Sequence, residues 1–117
     1  MSIKKFAIIG DPISHSLSPA MHNYWFKKYN INAQYELLHV KEIDIKNVIE
    51  KIKKKELKGI NVTLPYKKFI IPFLSKIVND AKETHSVNTI LLDEGDNVIG
   101  ENTDVFGFQA AYLKLFP

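Results

Sequence analysis

A threonine hydroxyl and a lysine ammonium stand close together in Asn61-Val62-Thr63-Leu64-Pro65-Tyr66-Lys67, where the strand-like run Gly59 to Thr63 meets a proline. Proline has a fixed φ and no N–H, so it cannot continue a central strand, and the run ends there. Polar groups set just beyond an apolar strand are where α/β proteins place binding and catalysis. Ser16, Ser18, Asn88 and Asp104 carry comparable chemistry. Taken singly, each has an ordinary structural use: the serines satisfy loop and helix-start backbone groups, Asn61 and Thr63 suit a strand end, Asn88 suits a turn, Lys67 a solvated surface and Asp104 a helix cap. The chain has no cysteine, which excludes thiolate and disulfide chemistry. His15, His22, His39 and His85 fall on separate elements without metal-ligand spacing, so no metal is expected.

The elements that must position these groups alternate strand and helix. Lys5 to Gly10 is a short apolar run closed by Gly-Asp-Pro and reads as a buried first strand. Ser18 and Pro19 signal the start of a helix to about Asn30, with Met21, Tyr24, Trp25 and Tyr29 as its apolar face. Gln34 to Val40 reads as a second strand, and Ile43, Ile45, Val48, Ile49, Ile52 and Leu57 mark a second helix. Gly59 to Thr63 is the third strand. Lys67 to Ser75 reads as a helical segment interrupted by Pro72, and Asn79 to Thr84 as one more short helix. Val87 to Asp93 and Asn97 to Thr103 form a hairpin across Glu94-Gly95-Asp96. Asp104 to Phe116 suits a final helix packed on the sheet.

This order predicts an α/β fold, a three-layer α/β/α sandwich whose mostly parallel sheet has about five or six strands and one antiparallel strand. Loops after the first and third strands, with Ser16, Ser18, Thr63 and Lys67, lie at the carboxyl edge of such a sheet. If Asn97 to Thr103 runs parallel to those strands, Asn88 and Asp104 reach the same edge, and all six side chains converge on one rim.

Composition narrows the class further. At 117 residues and 45% hydrophobic, the chain supports one core, read as a single domain over residues 1–117. No apolar run approaches the ~18 residues needed to span a bilayer, and the N-terminus shows no signal-peptide pattern, so a cytoplasmic protein without a membrane partner is expected. The net charge of +3 comes with no arginine, and the densest lysine cluster, Lys51 to Lys58, falls at a helix end. That placement suits the helix dipole and solvent, and no nucleic-acid partner is expected.

Four segments together resemble the shikimate dehydrogenase family: Gly10 to Pro19, Asn61 to Lys67, Val87-Asn88-Thr89, and Asn102-Thr103-Asp104 with Gly107-Phe108. The resemblance covers essentially the whole chain and corresponds to the family's N-terminal, substrate-binding domain. One departure is Thr84-His85-Ser86, where family members usually show a Gly-Ala pair. The resemblance implies that Ser16 and Ser18 hold the carboxylate of shikimate at a helix N-terminus. Thr63, Asn88, Lys67 and Asp104 would grip the ring hydroxyls, with Asn61 supporting them. The implied reaction is NADP-dependent, reversible reduction of 3-dehydroshikimate to shikimate, with Lys67 and Asp104 as the catalytic pair.

Hydride chemistry needs a nicotinamide, yet the chain has no Gly-X-Gly-X-X-Gly loop and no cofactor-binding residues of its own. The expectation is therefore that NADP sits on a C-terminal domain absent from these 117 residues, and that the chain alone is inactive. Two alternatives remain: a stand-alone, non-catalytic shikimate or quinate-binding module, and a quinate/shikimate dehydrogenase. A homodimer is compatible with the sequence, which fixes neither the oligomeric state nor NADP over NAD.

Overall fold

The computed structural model describes residues 3–13 and 18–103. Ser16, Asp104 and the helix expected over Asp104 to Phe116 lie outside the described residues.

The first strand, β1 (Lys4–Gly10), is flanked by β2 (Ala33–His39) and β3 (Gly59–Val62). β1 is apolar on both sides because both sides are covered. Ala7 and Ile9 enter the larger core with Ile60 and Val62 of β3, whereas Phe6 and Ile8 join Tyr35 and Leu37 on the opposite face. The rest of the sheet comprises β4 (Lys76–Ile77), β5 (Thr89–Leu92) and β6 (Val98–Glu101) in the order β2-β1-β3-β5-β6-β4. β5 is antiparallel to both β3 and β6, and the remaining pairs are parallel. The hairpin thus turns β6 back into the direction of β1 and β3, as the expected convergence requires.

Helices α1 (Ser18–Lys28) and α2 (Ile45–Lys53) cover opposite faces, completing the α/β/α arrangement. In α2 the spacing is simple. Ile45, Val48, Ile49 and Ile52 fall on one stripe, and all four are buried. Ile43, expected on the same stripe, is 86% exposed because residues Glu42–Asp44 form a 3₁₀ turn before the helix begins. The basic end is as expected, with Lys51 and Lys53 in the last turn.

α1 departs from expectation. Met21, Tyr24, Trp25 and Tyr29 are 45%, 61%, 45% and 64% exposed. The helix instead turns His22 and Phe26 inward, His22 stacking on Tyr35 at 4.3 Å between ring centroids and Phe26 meeting Phe6 at 5.9 Å. The cause is a polar contact. Asn23 donates to the Tyr35 carbonyl and accepts from the Tyr35 N–H, both at 2.9 Å, occupying main-chain groups at the outer edge of the sheet where another strand would pair. With Asn23 fixed there, its neighbours His22 and Phe26 face the sheet.

The expected helical segment Lys67 to Ser75 is broken further than Pro72 alone suggested. It holds a single turn, α3 (Tyr66–Phe69), and a 3₁₀ turn Ile71–Phe73, and just past Ser75 the two-residue β4 lies parallel to β6. α4 (Asp80–Thr84) forms as read. No helix of the described residues is long and apolar enough to cross a membrane.

Candidate functional site

The carboxyl ends of β1 and β3 meet at Gly10 and Thr63, where the Thr63 N–H donates to the Ile9 carbonyl at 3.0 Å. The approach leaves room only for glycine. A methyl on Gly10 would lie 2.6 Å from Thr63 Cγ2 and 3.0 Å from the Leu64 carbonyl oxygen. Beyond Thr63 the chain turns sharply, the Tyr66 N–H donating to the Thr63 carbonyl at 3.1 Å. Tyr66 is the anchor of this turn: buried to 2% exposure, it donates its hydroxyl to the Val40 carbonyl at 2.6 Å, and burial pushes its phenol up. Lys67 follows at once, half-buried at the start of α3.

Two backbone hydrogen bonds bring the third motif to the same place. The Val87 N–H donates to the Lys67 carbonyl at 2.8 Å, and the Val62 N–H to the Asn88 carbonyl at 2.8 Å. Thr63, Lys67 and Asn88, separate in sequence, therefore share the carboxyl edge. Ser18 opens α1, the element that follows β1 in the chain. Of the six residues expected on the rim, the backbone brings Thr63, Lys67 and Asn88 together, Ser18 stands at the start of α1, and Ser16 and Asp104 fall outside the described residues.

Asn88 is 8% exposed and held from several sides. Its Oδ1 accepts from the Thr103 N–H at 3.0 Å and from Thr89 Oγ1 at 2.9 Å, while its Nδ2 donates to Thr103 Oγ1 at 3.0 Å. Oδ1 is thus the accepting end of this amide and Nδ2 its donating end. The loop before it is tied by buried Asn102, whose Nδ2 donates to the Ser86 carbonyl at 3.0 Å and to Thr84 Oγ1 at 3.2 Å. His85, between those two anchors, has φ 53° and ψ 43°, the left-handed geometry at the C-terminal cap of α4. That explains why a glycine suits this position.

Sequence reasoning missed Tyr35. It is 5% exposed on β2 and donates its hydroxyl to Asn61 Oδ1 at 2.7 Å. Burial pushes its phenol up to about 12, the Ser18 hydrogen bond acting against that rise. Its only sequence signal was an aromatic residue in a strand. Also unforeseen is a charged cluster on the other side of Pro65, where Asp11 meets both His39 and Lys41. The His39 hydrogen bond is the main cause that holds the Asp11 carboxyl below its usual range. Asp11 and Lys41 border a groove of about 570 Å³, whose described walls include none of Ser18, Thr63, Lys67 and Asn88. A smaller cavity of about 240 Å³ lies beside Tyr35, Asn61 and Thr89. Among the described residues, no group of three His, Asp or Glu could hold a metal ion.

A covered sheet with hydroxyl, amide and ammonium groups gathered at its carboxyl edge defines a small-ligand-binding α/β domain. Residues 8–90 match the family described as the shikimate dehydrogenase substrate binding domain, and the chain belongs to that family. It is 47% identical over 111 residues to shikimate dehydrogenase (NADP(+)) of Pelagibacter ubique, covering 95% of this chain and 42% of that protein. The corresponding enzyme of Pyrococcus furiosus is 45% identical, with 92% and 39% covered. Among solved structures, shikimate 5-dehydrogenase from Listeria monocytogenes in complex with shikimate and NAD superposes with a TM-score of 0.88 at 32% identity, over 97% of this chain and 39% of that one. The chain thus spans about two-fifths of the length of the relatives it matches.

Proposed function

We propose that this chain is the substrate-binding domain of a shikimate dehydrogenase and holds shikimate or 3-dehydroshikimate at the carboxyl edge of its sheet. The observation that carries the reading is the meeting of Thr63, Lys67 and Asn88 through the paired hydrogen bonds from Val87 to Lys67 and from Val62 to Asn88. A polyol needs donors and acceptors arranged around it, and this edge supplies hydroxyl, amide and ammonium groups from separate elements. In this reading Ser16 and Ser18 take the substrate carboxylate, and Thr63, Asn88, Lys67 and Asp104 take the ring hydroxyls.

When 3-dehydroshikimate is reduced, the C3 oxygen must gain a proton as hydride reaches the carbon. Lys67 is the proton donor in that direction and the acceptor in the reverse. Asp104 holds the ammonium in place and accepts a substrate hydroxyl. The described residues do not fit a nicotinamide dinucleotide. The turn after β1 has one glycine, packed against Thr63 and the Leu64 carbonyl, and so offers no glycine-lined cradle for a pyrophosphate. The relatives are named as NADP(+) enzymes, and NADP is assigned to a C-terminal domain outside these 117 residues. The chain's own part is to bind, orient and protonate the substrate.

Titration of shikimate into the purified chain, followed by NMR, tests this. Saturable shifts should centre on Thr63, Asn88 and Thr103, and Thr63→Val should weaken them. No shift at these residues with shikimate in the tens of millimolar would sink the binding claim. The same chain with NADP and shikimate should show no turnover.

A further inference from the structure

We infer that Tyr35 is a positioning residue of this site: its hydroxyl donates across β1 to Asn61 on β3 and, through Asn61, sets the orientation of Asn88. The inference rests on the substrate site proposed above and adds to it a residue from the far side of β1.

The hydrogen bonds determine their own direction. Asn61 Nδ2 donates to the Asn88 carbonyl and to Thr89 Oγ1, both at 3.3 Å. A carbonyl can only accept, so the amide orientation of Asn61 is settled and its Oδ1 must take a proton. Tyr35 provides it at 2.7 Å. Thr89 receives from Asn61 and passes its own proton to Asn88 Oδ1 at 2.9 Å. One directed chain therefore runs from Tyr35 through Asn61 and Thr89 to Asn88, the residue assigned to a ring hydroxyl.

Geometry makes Tyr35 the link that no neighbour replaces. β2 and β3 do not pair; β1 lies between them, with Phe6 beside Tyr35 and Ile8 beside Asn61. Only a side chain as long as tyrosine spans β1 to reach Asn61. The ring is held by the stack on His22 and by Asn23 bonded to its main chain, so the hydroxyl is delivered at a defined place. Tyr35 thereby keeps Asn61 satisfied, and the amide of Asn88 stays fixed in orientation.

Tyr35→Phe removes one oxygen and keeps the stack. Shikimate affinity, measured by NMR titration, should fall about tenfold, the loss expected when Asn61 Oδ1 is left without its donor. The side-chain NH₂ signals of Asn61 and Asn88 should shift without ligand. Ile52→Val, a core change on the opposite face, serves as a control for lowered stability and should bind as the parent does. Equal binding by Tyr35→Phe, or equal loss in Ile52→Val, overturns the assignment. If the parent chain binds no shikimate, the substrate reading fails, and the linkage is judged on the amide signals: movement of both supports it, and unmoved signals overturn it.

Discussion

His85 stands in the left-handed region at the C-terminal cap of α4, with its N–H donating to the Ala81 carbonyl. For an L-residue with a Cβ, that conformation costs about 1–2 kcal/mol. Replacing it with glycine removes the strain but adds unfolded-chain entropy, a loss of roughly 0.4–1 kcal/mol. The net expectation for His85→Gly is a gain of about 0.5–1 kcal/mol, or about 2–5 °C in Tm for a chain of this size. His85 is exposed, so little burial is forfeited. Asn, which tolerates the same geometry, should fall between histidine and glycine. Thermal unfolding followed by circular dichroism reads the result directly. The Asn88 and Thr103 signals should stay in place, because Asn102 fixes the loop on either side of the substitution. A lower Tm for His85→Gly would refute the reasoning and show that the imidazole itself stabilises this loop.

In a chain that includes the NADP domain, Lys67→Ala should lower kcat by ~10² to 10⁴ with a smaller change in KM; an unchanged kcat removes Lys67 from proton transfer. Gly10→Ala forces a methyl to 2.6 Å from Thr63 Cγ2 and 3.0 Å from the Leu64 carbonyl. Such overpacking should destabilise by about 1–3 kcal/mol and weaken shikimate binding through Thr63, and parental stability in urea unfolding would contradict the close approach. The Asp93 carboxyl is held below its usual range, first by the Asn97 backbone N–H. A lowered folded value means that its contribution is complete above the unfolded value of ~3.9 and is lost as pH falls through the folded one. The Tm gap between the parent and Asp93→Ala should therefore be steady from neutral pH to about 5 and close at lower pH, and a gap that persists in strong acid would exclude the carboxylate as its source.

What the sequence disclosed depended on how far apart the deciding contacts lie. α2 was legible because its stripe is a local pattern, with Ile45, Val48, Ile49 and Ile52 facing one core. α1 was misread because aromatic residues occupy more than one of its faces. The choice between faces is made by Asn23 bonding the main chain of Tyr35, 12 positions away. β4 escaped notice because two residues carry no periodicity, and only β6 makes them a strand. At the site, Thr63 and Lys67 were visible from the proline between them, and Asn88 from its motif. Tyr35 was not visible, because an aromatic residue in a strand reads as core until its hydroxyl is found 2.7 Å from Asn61. The same logic gives the departure at His85 its meaning. His85 answers to a local backbone angle that glycine adopts without strain, whereas the bond from Tyr35 to Asn61 across β1 depends on the length of the side chain.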